Sequence, residues 1–408
     1  MSNDRVRIFA KTLDENAKAQ IDRMAESEAY GDCEIRIMPD AHAGAGCTIG
    51  TVIETKGKVV PETVGVDIGC GMLVMNLGRQ KIDLRLFDEV VNENIPAGFA
   101  IREEATARGK DADSLGLWFQ DYDADKAMKA IGTLGGGNHF IELDVDDEEN
   151  IYLVIHSGSR NLGKLVCDHY QKKAAESCFA RRHDKLQSEI AKLKAEGRHS
   201  EIQKLIDSFG SLKADKYLAY LEGQDLQFYI SDMYKMQFYA QENRTQIAET
   251  ILQKLGVSSR PPYVFETVHN YIDAKGVIRK GAVEAEKGMP LIIPMNMRDG
   301  SLICSGKGNP DWLCSAPHGA GRIMSRAEAY RKLTMEEFTE EMKGIYSTSV
   351  CQATIDESPM AYKPMDEIVA AIEPTVTIEK IIKPIYNFKA KEQTPLWKIL
   401  KEEKKKQQ

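Results

Sequence analysis

The stretch EIRIMPDAHAGAGCTIGTVIETKGKVVPETVGVDIGCGMLVMNLG, residues 34–78, decides how the fold is read. Short runs of Ile and Val alternate there with Gly and Pro, the pattern of strands joined by tight loops. Outward from it, residues 1–30 read as an amphipathic helix around LDENAKAQIDRMAESE, and residues 79–130 as polar and helical. IYLVIHSGSRNLG (151–163) reads as a buried strand, a tight loop and a helix start. Residues 164–250 carry helical spacing and i,i+4 charge pairs, with a break expected near GRHS. Its charge-rich pair, FARRHDKLQSEIAKLKAEGRHSEIQKLIDSF (179–209), reads as a solvated helical hairpin, with a partner or RNA contact as the alternative, and a third helix follows through DLQFYISDMYKMQFYAQENRTQIAETILQKL. Strands return at 262–305, and 366–383 alternates helix and strand. The expected class is α+β: mixed β-sheets forming a central core, surrounding helices and a helical hairpin insertion.

Eight histidines divide by context. His183 and His199 lie in charged helix and read as surface; His169 reads as structural. His42, His139, His156, His269 and His318 each sit in or beside a loop rich in Gly, Asp or Asn, next to an apolar strand. VGVDIGCGM (64–72) sets Asp67 and Cys70 three residues apart between glycines. A carboxylate and a thiolate so placed can converge on one metal, Zn²⁺ or Mn²⁺ by donor type. Alone, the pair is equally a buried turn with an inert cysteine. GTLGGGNHFIEL (132–143) offers Asn138, His139 and Glu142 after three glycines, whose backbone N–H groups suit an anion. IHSGSRNLG adds His156 and Arg160, ETVHNYID adds His269, and IRKGA adds Arg279 and Lys280. Together these loops point to a metal centre gathered by the fold, since no HExxH or finger spacing exists.

SAPHGAGRIMSR (315–326) differs. His318 lies among small residues that leave room for a large reactant, and imidazole is a competent nucleophile toward phosphorus. Arg322 and Arg326 can neutralise a phosphate. A metal-binding or helix-capping histidine is the alternative.

Composition limits the classes. The chain has 408 residues, 42% of them hydrophobic, enough for a substantial core. A net charge of −8 excludes a basic nucleic-acid coat but not a local positive groove. No apolar run reaches the roughly 18 residues of a membrane span. The start, MSNDRVRIFAKTLDENAKAQ, lacks the apolar stretch of a secretory signal. Eight scattered cysteines without a CxxC pair read as reduced thiols, so a cytoplasmic location is expected.

MPDAHAG, VGVDIGCGM, GTLGGGNHFIE, IHSGSRNLG, HNY, RKGA, HGAGRIMSR and DESPMAYK, in this order, resemble the blocks of the RtcB family of RNA ligases. The resemblance spans most of the chain. It implies an RtcB-type fold, with one catalytic domain over 1–390, the helical insertion at about 164–250 and a flexible extension at 391–408. It implies GTP- and Mn²⁺-dependent joining of RNA 3′-phosphate or 2′,3′-cyclic phosphate ends to 5′-hydroxyl ends, in RNA repair or tRNA splicing. Asp67, Cys70, His139, His156 and His269 would hold one or two Mn²⁺ ions, Cys70 bridging, with Zn²⁺ a tight competitor. His318 would attack the α-phosphate of GTP and carry GMP. Asn138, Arg160, Lys280 and Arg322 would contact phosphates. Glu142 would sit near the nucleotide, Tyr362 would stack near guanine and Lys389 would read its carbonyl. The need for an activating protein partner stays open.

Two departures point to a divergent subgroup. PMNMRDGS (294–301) stands where the family has PGSMG, which bears on nucleotide contacts, and Lys389 is followed by Ala390 and further residues. The alternative function is a metal-dependent phosphohydrolase or cyclic phosphodiesterase acting on RNA ends without guanylylation. A non-catalytic RNA-end binder is a third. The HGAGR block argues against both, because neither needs an accessible nucleophile.

Overall fold

The deciding stretch is mostly strand. In the computed structural model, which describes residues 5–44, 46–111, 115–209, 215–257 and 263–391, β2 (Glu34–His42) pairs antiparallel with β3 (Ile49–Glu54). Its Ile35 and Ile37 and the Val52 and Ile53 of β3 are fully buried. β1 (Val6–Ile8) adds parallel to β2, while β9 (Val277–Lys280) and β8 (Asn270–Ile272) extend the other side, in the order β1-β2-β3-β9-β8. β10 (Ala282–Glu284) and β13 (Ser315–Pro317) form a short pair.

The second half of the stretch, β4 (Gly71–Gly78), enters a seven-stranded antiparallel sheet. Its other strands are β5 (Phe140–Val145), β6 (Ile151–Ser157), β7 (Tyr263–Val268), β11 (Pro290–Asn296), β12 (Gly300–Gly306) and β14 (Val376–Phe388). The order is β11-β12-β14-β5-β6-β4-β7. The two edges approach: Ile292 N in β11 donates to Thr267 Oγ1 in β7 at 3.3 Å. The sheet thus curls almost closed around Met72, Val74, Val154, Ile292 and Ile303. Mixed sheets with surrounding helices are the α+β class expected from the sequence.

The helices are α1 (Glu15–Ala25), α2 (Pro61–Val64), α3 (Leu84–Asn94), α4 (Ala107–Asp111), α5 (Ala124–Ala130) and α6 (Arg160–Ala195). Beyond them lie α7 (Ile202–Phe209), α8 (Gly223–Leu255), α9 (Arg326–Lys332), α10 (Met335–Glu341) and α11 (Met365–Ile372). None is long and apolar enough to cross a membrane among the described residues. Asp14 caps α1 by accepting from Ala17 N, and Ala17, Ile21 and Met24 form its buried face.

Two expectations change. Residues 1–30 are not one helix, because Val6–Ile8 pairs with distant Ile35–Ile37. Residues 79–130 are helical only in α3, α4 and α5; Pro96 and Gly98 stand where α3 has ended. The insertion breaks near GRHS as expected, since α6 ends at Ala195 and α7 begins at Ile202. The charge-rich pair is solvated as expected, with Leu186 its one buried residue, whereas the first turns of α6, before that pair, bury Leu162, Val166, Cys167 and Tyr170. KEEKKKQQ lies outside the described residues.

α8 is the most deeply embedded of these helices, and two of its polar residues explain why. Asn243 Oδ1 accepts from the backbone N–H groups of Gly132 and Thr133 at 2.8 and 3.0 Å. Its Nδ2 donates to Ser157 Oγ and the Gly158 carbonyl at 2.9 and 3.1 Å. Arg244, wholly buried, donates to the carbonyls of Gly69 and Ser157, each at 2.9 Å, and pairs with Glu266 at 3.1 Å. Arg244→Met keeps the stem but leaves a carboxylate and two buried carbonyls without a donor. The expected loss is about 3 kcal/mol, read as a lower urea midpoint.

Candidate active site

Each proposed metal ligand stands where a strand of the curled sheet meets a glycine-bearing turn. Cys70 N donates to the Asp67 carbonyl at 3.2 Å, closing the turn between the two residues. Gly69 has φ +73°, and a Cβ there would lie 2.8 Å from the Gln237 backbone, so only glycine lets the turn pass α8. His156 ends β6, His269 follows β7, and His139 precedes β5.

The donor atoms converge. His139 Nε2 and His156 Nε2 each lie 3.3 Å from Cys70 Sγ. His156 Nε2 is 3.1 Å from His269 Nε2, and His139 Nε2 is 3.1 Å from Asp67 Oδ2. Two sets result, Cys70–His156–His269 and Asp67–Cys70–His139, with the donor atoms of each within 4.8 Å of one another. Cys70 belongs to both. His139 Nδ1 donates to the Leu134 carbonyl at 2.9 Å, which turns Nε2 inward toward Asp67 and Cys70. The Nδ1 atoms of His156 and His269 have no hydrogen-bond partner among the described residues, and the rings pack against Phe140 and His318 respectively.

Burial, then the nearby imidazoles, pushes His156 well below the usual histidine range; burial and the charge of His318 do the same to His269. Both rings are therefore neutral and keep a lone pair. Burial alone would raise Asp67, but the His139 hydrogen bond and the charges of His139 and Arg160 outweigh it and hold the carboxyl at about 2. Burial and Asp67 push the Cys70 thiol well up. Packed this closely, nitrogen and sulfur lone pairs need a proton or a cation between them. A carboxylate, a thiol and neutral imidazoles fit a divalent transition metal, whose charge would also deprotonate Cys70.

His318 stands beside this cluster, its ring centroid 4.8 Å from that of His269. β13 delivers it into a loop where a Cβ on Gly321 would lie 2.1 Å from the Asp40 carbonyl oxygen. That packing brings Asp40 Oδ2 to 2.7 Å from His318 Nδ1. Asp40 is fully buried. Its carboxylate accepts a hydrogen bond from Nδ1–H, which leaves the lone pair of the neutral ring on Nε2. His318 lines a cavity of about 1500 Å³ with Asp67, His139 and His156. The sequence reading missed Asp40, although it lies in the MPDAHAG block; its position two residues before a histidine was the available signal.

The opposite wall is organised by Glu357, also missed within DESPMAYK. Arg326 lies 2.6 Å from this buried carboxylate, Tyr362 OH 2.7 Å, Lys389 Nζ 3.0 Å and Arg322 3.4 Å. Burial is outweighed by the charges of Lys389, Arg326 and Arg322, which hold Glu357 far below the usual carboxylate range. Arg322 also lies over the Tyr362 ring at 5.1 Å. Lys389 Nζ donates to the Asn138 carbonyl at 3.3 Å. Glu142 is bonded to Asn387, and burial pushes it up to about 7 against the opposing charge of Lys389.

The cavity wall thus brings together Asn138, Glu142, Arg160, Arg322, Tyr362 and Lys389 from the sequence reading. Arg160 NH1 is 3.4 Å from His139 Nδ1, and its Nε donates to Thr133 Oγ1 at 3.2 Å. Lys280 is not brought to that wall; its Nζ donates to the Glu62 carbonyl at 2.8 Å. In PMNMRDGS, Pro294 to Met297 line the cavity, and Asn296 Oδ1 is occupied by the N–H groups of Arg298 and Asp299 at 3.0 and 2.9 Å.

The family described as tRNA-splicing ligase RtcB matches residues 20–116 and 103–390. The RNA-splicing ligase RtcB of Escherichia coli K12 is 30% identical over 394 residues, covering 85% of this chain and 89% of the relative. The tRNA-splicing ligase RtcB of Aeropyrum pernix is 27% identical over 443 residues, covering 85% of each. The RNA-splicing ligase RtcB of Mycobacterium tuberculosis is 25% identical over 427 residues, covering 82% of this chain and 91% of the relative. With a family match over nearly its whole length, the chain belongs to the RtcB family.

Proposed function

We propose that this RNA ligase joins a 3′-phosphate or 2′,3′-cyclic phosphate RNA end to a 5′-hydroxyl end, using GTP and a covalent GMP on His318. The observation that carries the reading is the His318–Asp40 pair at 2.7 Å, set beside the cysteine–histidine cluster in one cavity. A hydrolase would need the cluster and no held, cavity-facing imidazole.

Asp67, Cys70, His139, His156 and His269 would hold Mn²⁺, which supplies charge for the triphosphate and its leaving pyrophosphate. Zn²⁺ suits the same donors and is the expected competitor. Asp40 fixes the His318 tautomer, so that Nε2 forms the bond to the α-phosphorus as the bond to pyrophosphate breaks. GMP then moves from Nε2 to an oxygen of the RNA 3′-phosphate, which frees His318. The 5′-hydroxyl attacks the phosphorus of that RNA 3′-phosphate, its bond to GMP breaks, and one proton is released; a 2′,3′-cyclic end is first opened to the 3′-phosphate by water. Arg160 and Asn138 line the cavity beside the cluster and serve the phosphates. Arg322, tied to Glu357, serves as a fixed rather than a mobile charge. Glu142, Tyr362 and Lys389 form the wall for guanine. Lys280 would act on phosphate only through a change of side-chain direction. The eight cysteines are all free thiols, which suits a reducing compartment such as the cytoplasm.

Intact-protein mass spectrometry after incubation with GTP and Mn²⁺ tests the reading. A gain of one GMP, lost in His318→Ala, is expected. No gain, or the same gain in the variant, would contradict it. Asp40→Asn keeps the size of the side chain but can present its amide rather than an acceptor to Nδ1, favouring the wrong tautomer. Adduct formation should then slow by about 100-fold, measured by quenched time courses with labelled GTP.

A further inference from the structure

His42 is the one histidine of the glycine-rich loops that this reaction leaves unused. Its Nδ1 lies 3.0 Å from the Asp40 carbonyl oxygen. A carbonyl only accepts, so Nδ1 carries the proton and Nε2 of the neutral ring is an acceptor. Burial pushes the ring down to about 4, so it stays neutral at physiological pH. Asp40, whose carbonyl holds His42, also holds His318 through its carboxylate at 2.7 Å, so the two histidines flank one residue.

His42 also marks a junction. A second cavity of about 840 Å³ shares Asp14, His42, Arg322 and Ile323 with the main one and runs outward past Lys11 and Lys18. Of the three acids on its wall, Asp14, Asp22 and Glu367, Asp14 caps α1 and Glu367 accepts from Thr12 Oγ1 at 3.4 Å, and Lys18 pairs with exposed Glu15 at 2.7 Å. Ile323, 53% exposed, offers an apolar shelf at the junction.

The chemistry needs such a branch. In an in-line displacement the entering 5′-oxygen and the departing GMP lie on opposite sides of phosphorus. The third organic substituent, the 3′-oxygen of the other strand, must leave sideways. The main cavity has a guanine wall at Glu142, Tyr362 and Lys389, and a separate flank at Arg160. A strand attached sideways needs another path, and the second cavity begins at Arg322.

We propose that the second cavity seats the RNA strand bearing the 3′-phosphate, and that His42 Nε2 accepts a hydrogen bond from that strand's terminal 2′-hydroxyl. The inference rests on the ligase reading. Lys11 and Lys18 meet the strand's phosphates, Ile323 carries a base, and Arg322 faces the terminal phosphate. His42 makes this end selective for ribose, since only RNA offers the 2′-hydroxyl.

The test uses the full chain with GTP, Mn²⁺ and separate 3′-phosphate and 5′-hydroxyl oligonucleotides. Lys11→Glu with Lys18→Glu should raise KM for the 3′-phosphate strand by about tenfold and spare KM for the 5′-hydroxyl strand. The wild type should favour a terminal ribose over 2′-deoxyribose by roughly fivefold, and His42→Ala should erase that preference. On the unaltered chain, 4-thiouridine two nucleotides from the 3′-phosphate should crosslink to residues 8–22. Crosslinks confined to residues 98–130, a KM effect on the 5′-hydroxyl strand or on neither strand, or sugar discrimination retained in His42→Ala would each overturn the proposal. A wild-type chain that takes up no GMP contradicts the ligase reading and this inference together; one that takes up GMP but fails these tests contradicts only the inference.

Discussion

One buried guanidinium ties together the strands that carry the candidate metal ligands. Arg244, in the middle of α8, donates to the carbonyls of Gly69 and Ser157 and pairs with Glu266. Gly69 precedes Cys70, Ser157 follows His156, and Glu266 lies three residues before His269. The adjacent Asn243 binds the N–H groups of Gly132 and Thr133, at the start of the loop that carries His139. The donors therefore come from distant parts of the chain but are indexed against two neighbouring side chains. A charge this deep is costly unless fully bonded, and that requirement makes the arrangement specific.

The electrostatics follow from the same burial. Imidazoles that cannot charge keep lone pairs for a cation, and a thiol that resists ionisation alone ionises when a cation arrives. Asp67 already holds the negative charge. Across the cavity Arg322, Arg326 and Lys389 gather around Glu357, and Arg326 also pairs with Asp356. These ion pairs fix the cationic side chains in place, so little reorganisation is needed when an anion binds. Between the two walls stands His318, its tautomer set by Asp40.

Much of this was legible because the chemistry sits in short blocks. Cys70 and His156 stand out by their glycine surroundings, and a histidine in PHGAGR has no packing reason to be there. The α+β class followed from one stretch with period-two runs. Other parts were not legible, for physical reasons. β1 is a strand only because it pairs with β2, a long-range contact with no local signal. α8 was legible as a helix, but not the burial of its polar Asn243 and Arg244, which bond to backbone groups far away in sequence. Asp40 and Glu357 lay inside recognised blocks, but their partners are hundreds or tens of residues away in sequence. Lys280 shows the converse: a lysine in a glycine-bearing loop whose Nζ turns to a backbone carbonyl.

The most direct measurement is crystallographic: crystals grown with Mn²⁺, with diffraction recorded at the manganese absorption edge. Anomalous density within bonding distance of Cys70 Sγ, flanked by His156 and His269 on one side or by Asp67 and His139 on the other, is the expected result. Manganese found only at surface carboxylates, with the cluster around Cys70 empty, would contradict the convergence on which the reaction depends.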